Sequence, residues 1–246
     1  MAGEANGPIL QATGLHKRYN ALVVLDSIDF AMRPDETVGI VGPNGAGETT
    51  FLSVLVGAIV PTSGRITFNG RDVTELPASE RSRCGLVRTH QIPRPFNGMT
   101  VFENVFVGAT NGGELTGSDA HDRCLESLKL CGMLRIANRR AETLGLLDRK
   151  RLELARALAV SPKLLLLAEI GAGLTDSEAS ELVDVILELR KRGIAIVWIE
   201  HIVHVLLRVA NRLICLDAGR IIADGEPKAV MADKAMMAAY LGGIAE

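Results

Sequence analysis

The sequence predicts an α/β fold interrupted by a mostly helical insertion. Three observations predict it. A β-branched run, a glycine loop and a helix-patterned stretch follow one another over 37–56. Gly, Asn and Pro then break the pattern between 80 and 145, ahead of a polar helical stretch. From 149 onward, amphipathic helices again alternate with short apolar runs, the pattern of layered α/β domains.

Each element follows in order. "ILQATGLHKRY" and "LVVLDSIDFAM" are short and β-rich, with "RPDE" as the turn after them. "TVGIVG" (37–42) reads as a buried strand that ends at Gly42. "TTFLSVLVGAIV" places Phe51, Leu52, Leu55 and Val56 at helical spacing, and "GRITFNGRDV" reads as a hairpin. Gly, Asn and Pro punctuate "QIPRPFNGMT" and "GATNGGELTGS", and "AHDRCLESLKLCGML" is a helical stretch within the insertion. "RKRLELARALAV" is a helix with Leu152, Ala155, Leu158 and Ala159 on one face. "PKLLLLAEI" is a buried strand. "DSEASELVDVILELRKRG" is an amphipathic helix that begins at Asp176, with Gly193 able to cap its end. "IAIVWIEH" is a further strand, "RLICLDAGRIIADGEP" a terminal hairpin, and a short helix closes the chain.

Composition narrows the function classes. The 246 residues are 48% hydrophobic, enough for a full core, and the net charge is −2. No basic block exists, so a nucleic-acid partner is not expected. The most basic stretch, Arg149-Lys150-Arg151, reads as a solvated helix face. Four cysteines without a CxxC pair argue against a disulfide or zinc framework and fit a reducing cytoplasm. "MAGEANGPIL" lacks the basic start and long apolar run of a secretory signal. The longest apolar-rich stretch, 193–210, carries Glu200, His201, His204 and Arg208, too many polar groups for a membrane span. Any membrane role is expected to come through a partner.

The chemistry concentrates in three places. "GPNGAGETT" (42–50) has the glycine spacing of a phosphate-binding loop: Gly42, four residues, Gly47, then Thr49. In such a loop backbone N–H groups and a helix start cradle phosphate, glycines let the backbone approach closely, and the Thr after the lysine position supplies a hydroxyl to Mg²⁺. The lysine expected before Thr49 is Glu48, and by itself the stretch also reads as an ordinary glycine-rich turn. Secondly, an acidic pair is expected after "LLLL": one Asp to hold Mg²⁺ through water, then a Glu to polarise the attacking water. The chain reads Ala168-Glu169. Thirdly, His201 ends a strand, where it can contact a terminal phosphate or serve as a hydrogen-bonded structural residue.

In this series and order the stretches resemble the ATP-binding subunit of ABC transporters, most nearly the ATPases of branched-chain amino-acid-type importers, over about 9–241. "GPNGAG" is similar to the Walker A loop, "THQIPRPFNGMTVFENV" to the Q-loop stretch, "RLELARALAVSPKLLLL" to the helix after the signature motif and the Walker B strand, and "GAGLTDSE" to the D-loop region. The resemblance implies a P-loop NTPase (RecA-like) core with an antiparallel β subdomain and an inserted helical subdomain. All would form one ABC ATPase domain over 1–246, with about 1–90 and 159–246 as α/β core and about 91–158 as the helical part. It implies ATP and Mg²⁺ as cofactors. ATP would be held by Gly42, Pro43, Asn44, Gly45, Ala46, Gly47, Glu48, Thr49 and Thr50, with Tyr19 stacked on adenine. Thr49 and Gln91 would face the metal, and Glu169, His201 and Gln91 would act in hydrolysis. The implied partners are integral membrane permease subunits of an importer, to which Gln91 couples, and a second ATPase subunit in a homo- or heterodimer. The implied location is cytoplasmic, peripheral on the inner face of the cell membrane.

Three departures bear on activity. Glu48 replaces the Walker A lysine, Ala168 replaces the Walker B aspartate, and "LGLLD" (144–148) replaces the LSGGQ signature. There Gly145 stands for the Ser, and Leu147, for the second Gly, leaves little room for close approach. Unit charges 4 Å apart interact by roughly 4 kcal/mol at an effective dielectric near 20. Glu48 is free to rotate toward solvent, so about 3 kcal/mol, around a hundredfold in affinity, is the discounted cost. Loss of a water-mediated metal partner costs about 10–100-fold. The expectation is a scaffold that folds but binds and hydrolyses Mg-ATP poorly. The alternative is a non-catalytic regulatory or interaction module on the same scaffold. A soluble ABC protein of translation or repair fits less well, because the chain holds one such domain and no heptad stretch.

Overall fold

The computed structural model describes residues 7–242; residues 1–6, most of the N-terminal stretch read above, and 243–246 lie outside the described residues. Strand β1 (Leu10–Tyr19) pairs antiparallel with β2 (Leu22–Met32). Then come β3 (Thr37–Val41), α1 (Glu48–Leu55), β4 (Ser63–Phe68), β5 (Arg71–Asp72), α2 (Ala78–Arg83) and β6 (Leu86–Arg88). The insertion supplies α3 (Val101–Val107), continued by a π turn, then α4 (Gly117–Leu130) and α5 (Leu146–Ala159). The chain then runs through β7 (Leu164–Ala168), α6 (Asp176–Lys191), β8 (Ala195–Ile199), α7 (Val203–Leu207), β9 (Arg212–Asp217) and β10 (Arg220–Gly225). The helices α8 (Pro227–Met231) and α9 (Lys234–Gly242) follow.

Two sheets result. An antiparallel sheet has the order β2-β1-β4-β5, and a six-stranded sheet has the order β10-β9-β3-β8-β7-β6. In the larger sheet β3 pairs parallel with both β8 and β9, while β10 returns antiparallel. Every residue of β3, β7 and β8 is buried, as continuous apolar runs require in a sheet covered on both faces.

The period of two along each strand splits the core. Val38, Ile40, Leu164, Leu166, Val197 and Ile214 face α1 and the antiparallel sheet. There Phe30 meets Phe51 edge to face at 5.7 Å. Val41, Leu165, Leu167, Ile196, Trp198 and Leu213 share the other core with α3, α4, α5 and α6. Beyond α1, the guanidinium of the fully buried Arg81 donates to the carbonyls of Val54 (2.9 Å) and Leu55 (2.7 Å). It thereby satisfies acceptors that a helix end leaves without intrahelical partners. Burial lowers its pKa to about 10.

The strands and helices read from the sequence are present, with differences at their ends. Helix α5 starts at Leu146, with Gly145 as its N-cap, three residues before the Arg149 at which the sequence pattern starts it. Helix α6 begins at Asp176 as expected, but its cap is Thr175, which forms a reciprocal capping box with Glu178. Gly193 takes φ 77° after its last turn.

The basic stretch departs most from expectation. Lys150 is buried, Arg149 donates to the carbonyls of Leu144 and Glu142, and Arg151 pairs with Asp148 and Glu181. The helix turns this face onto neighbouring loops, so it is not simply solvated. The four cysteines are free thiols. Cys124, Cys131 and Cys215 are buried, and burial pushes their thiols up to about 11, 12 and 11. Among the described residues, no helix is long and apolar enough to cross a membrane.

Candidate functional site

Strand β3 delivers the chain into the glycine loop, and α1 carries it away. Gly45 (φ 85°) and Gly47 (φ 106°) adopt backbone angles that L side chains rarely reach. The loop is pinned from both sides: Ala46 N donates to the Pro43 carbonyl at 3.0 Å, and Gly219 N donates to the Ala46 carbonyl at 2.9 Å. A Cβ on Gly47 would stand 2.7 Å from the Val24 carbonyl oxygen. Gly47→Ala is therefore expected to destabilise the protein by about 1–2 kcal/mol through strain and crowding, read as a lowered denaturation midpoint. An unchanged midpoint would show that the loop relaxes freely.

A cleft of about 270 Å³ opens at this turn, lined by Val24, Asn44 through Thr50, Glu169 and His201. The first amides of α1 have no intrahelical acceptor, so loop and helix start offer N–H groups to an anion. Thr49 is exposed and Thr50 half-buried. Gly42 lies behind the cleft, where a Cβ would come 2.4 Å from the Leu216 carbonyl. Pro43 and Tyr19 do not line it either. Tyr19 is 43% exposed, with Lys17 Nζ 4.9 Å from its ring centre.

Glu48 corrects one expectation. It does not turn to solvent: the residue is only 7% exposed, and its Oε1 has no hydrogen-bond partner. Burial, with a smaller contribution from the negative charge of Glu169, pushes its carboxyl up to about 8. Near pH 7 this side chain is mostly a neutral acid. Among the described residues no Lys or Arg lines the cleft, which also carries less negative charge than the sequence implies. Ala168 closes β7 as a buried methyl packed in the core, and supplies no carboxylate.

Glu169, Gln91 and His201 come together. Glu169 follows β7 with φ 44°, and its N–H donates to the Ile199 carbonyl. Its Oε2 accepts from Gln91 Nε2 at 2.5 Å, and its Oε1 lies 3.5 Å from His201 Nε2. His201 stands beyond the end of β8 and not within the strand.

Two further residues hold this arrangement. Glu200, 1% exposed, accepts from the N–H groups of Gly171 (2.6 Å) and His201 (3.2 Å), and burial raises its pKa. Lys150 Nζ donates to the carbonyls of Gln91 (2.9 Å) and Glu169 (3.1 Å). Glu200 sits beside the predicted His201 and could have been noticed for that reason. Lys150 gave no signal beyond a basic triplet. At the start of α5, Leu146 is the side chain that stands out, 45% exposed, whereas Leu147 is half-buried against the core. The side chain that stands out at this helix start is thus at 146 and not at 147.

Shape and charge give different answers for Mg-ATP. The backbone cradle fits a phosphate. The side chains offer it little to pair with: position 48 carries a buried acid and position 168 a buried methyl. Among the described residues, no group of three or more His, Cys, Asp or Glu is arranged to hold a metal ion.

The family profile described as ABC transporter matches residues 25–171. The chain is 35% identical to the high-affinity branched-chain amino acid transport ATP-binding protein LivG of Salmonella typhimurium, over 96% of this chain and 98% of that protein. It is 33% identical to the lipopolysaccharide export system ATP-binding protein LptB of Haemophilus influenzae, over 95% and 97%. Among solved structures, a nucleotide-free ATP-binding cassette from an ABC transporter superposes with a TM-score of 0.87 at 28% identity, covering 95% of this chain and 98% of that one. The ADP conformation of such a cassette gives 0.88 at 28% identity, covering 96% and 99%.

Proposed function

Because the chain belongs to the ABC transporter ATP-binding family, we propose that it is the nucleotide-binding subunit of an importer for amino acids or similar small polar solutes, with strongly impaired Mg-ATP binding and hydrolysis. In this reading it sits on the cytoplasmic face of the membrane against permease subunits and pairs with a second ATPase subunit. The glycine cradle would take the phosphates, and Thr49 and Gln91 would serve the metal. Glu169 and His201 face the terminal phosphate. The importer assignment rests on likeness to LivG along nearly the whole chain. The impairment rests on one observation, the Glu48 carboxyl buried in the cradle with an unpartnered oxygen.

The test is a titration of the purified protein with Mg-ATP, together with a phosphate-release assay. Binding at least about a hundredfold weaker than in the Glu48→Lys, Ala168→Asp double variant is expected, with little turnover. Turnover like that of an intact family member would overturn the impairment. A second reading, a non-catalytic module on this scaffold, draws on the same burial of Glu48: the cradle holds a buried acid of its own that is mostly uncharged near pH 7. Failure of the double variant to bind would favour it.

A further inference from the structure

We propose that Lys150 is a positioning residue, whose ammonium ties the first turns of α5 to the two backbone segments that carry Gln91 and Glu169. On this view the placement of α5 sets the contact between those two side chains. The inference takes the cleft to be the site, as above, but its test does not depend on nucleotide.

Lys150 is 4% exposed, and its two side-chain hydrogen bonds both go to main-chain carbonyls, of Gln91 at 2.9 Å and Glu169 at 3.1 Å. A buried ammonium needs compensation. Here two carbonyl dipoles supply it, with the charges of Glu200, Glu169 and Glu153 nearby. The bonded carbonyls belong to residues 78 positions apart whose side chains meet at 2.5 Å. Lys150 therefore bridges beneath a contact that neither segment fixes by itself.

Two features of the neighbourhood strengthen the bridge. Glu153 and Arg156 follow Lys150 at three-residue intervals on one face of α5, and all three grip the loop that carries Gln91. Glu153 Oε1 accepts from His90 N at 3.1 Å, and Arg156 donates to the Arg94 carbonyl at 2.9 Å. Only Lys150 of the three also reaches Glu169. That residue holds φ 44° without being glycine, a conformation that persists where its surroundings determine it. Its carbonyl is held by Lys150 and its N–H by Ile199. A lysine present only to balance buried carboxylates would have no need to bond both carbonyls.

Amide hydrogen exchange followed by mass spectrometry on the full chain, without nucleotide, tests this. Lys150→Met keeps the apolar stem and removes the donor. It is expected to speed exchange about tenfold or more in both 89–92 and 168–172, while the second half of α5 and the β3 strand keep the parent's rates. Lys150→Arg, which retains charge and donors, is expected to restore protection in both segments. Unchanged exchange in either segment, or a uniform rise across the protein, would overturn the proposal. If Lys150→Met does not fold, Lys150→Gln is measured in the same way, and failure of both to fold would assign Lys150 to the core alone.

A second readout uses the Glu48→Lys, Ala168→Asp double variant as its parent. There Lys150→Met is expected to lower kcat about tenfold with KM little changed, since the side chain does not line the cleft. Absence of turnover in that parent would count against the functional reading, while the exchange result would still decide the role of Lys150.

Discussion

Replacing Glu48 by Lys and Ala168 by Asp in one chain is expected to tighten Mg-ATP binding by at least about a hundredfold and to bring phosphate release to a measurable rate. Two terms add. At position 48 the change is from a mostly neutral acid to a cation, so the gain is attraction alone and not the reversal of a full repulsion. Discounted for solvent, that is about 2–3 kcal/mol from a Coulomb interaction of roughly 4 kcal/mol at 4 Å. At position 168 an introduced carboxylate would give the metal a water-mediated partner, worth about 10–100-fold. The gains of the two single variants are not expected to multiply, because both would act on one bound Mg-ATP. Calorimetric titration of the parent, both single variants and the double variant checks this. A double variant no tighter than the parent would show that the cradle itself is unable to hold the triphosphate.

The second large effect is on stability and follows from the same side chain. The folded-state pKa of Glu48 is raised from the ordinary 4.5 to about 8, chiefly by burial. Between those values the native protein holds a proton that the unfolded chain has released. Stability therefore falls as pH rises through the window. The cost is absent below about 4.5 and fully present above about 8. At about 1.4 kcal/mol per unit of pH the ceiling is near 5 kcal/mol, and water penetration brings the expected loss between pH 5 and pH 9 to about 2–3 kcal/mol. Glu48→Gln keeps the shape without the titration, so its denaturant-derived stability should lack this slope. Parallel pH profiles for parent and variant, followed by far-UV circular dichroism, would refute the assignment. A neutral Glu48 also makes the parent least unfavourable to anions on the acid side of the window.

Much of the fold was legible because its signals are local. The run 37–56 specifies strand, turn and helix in consecutive residues, and strands β7 and β8 are apolar without interruption, as burial on both faces requires. The meeting of Glu169, Gln91 and His201 was legible by resemblance, since the motifs assign all three to hydrolysis of one phosphate. The environment of each side chain was not legible. Whether Glu48 faces solvent depends on how β3, β7 and α1 close around it. Whether Lys150 is solvated depends on the angle at which α5 meets the loop after β6. Both are tertiary properties of charged residues in helical positions, where sequence pattern favours exposure. Tyr19 shows the converse. An exposed ring at the end of β1 matches the adenine-stacking position of the motif, yet it does not line the cleft.

The division of the core by the large sheet has a spectroscopic consequence. Trp198 is the chain's one tryptophan. It is 1% exposed, and it lies in the same core as the buried faces of α3, α4, α5 and α6. Its indole therefore reports on the inserted helices and the sheet together. Loss of packing in the insertion would change its emission even if the strands remained paired. Detachment of the antiparallel sheet, which packs on the opposite face, would leave it in the dry interior. Intrinsic fluorescence and circular dichroism should thus separate the two halves of the molecule without any label being introduced.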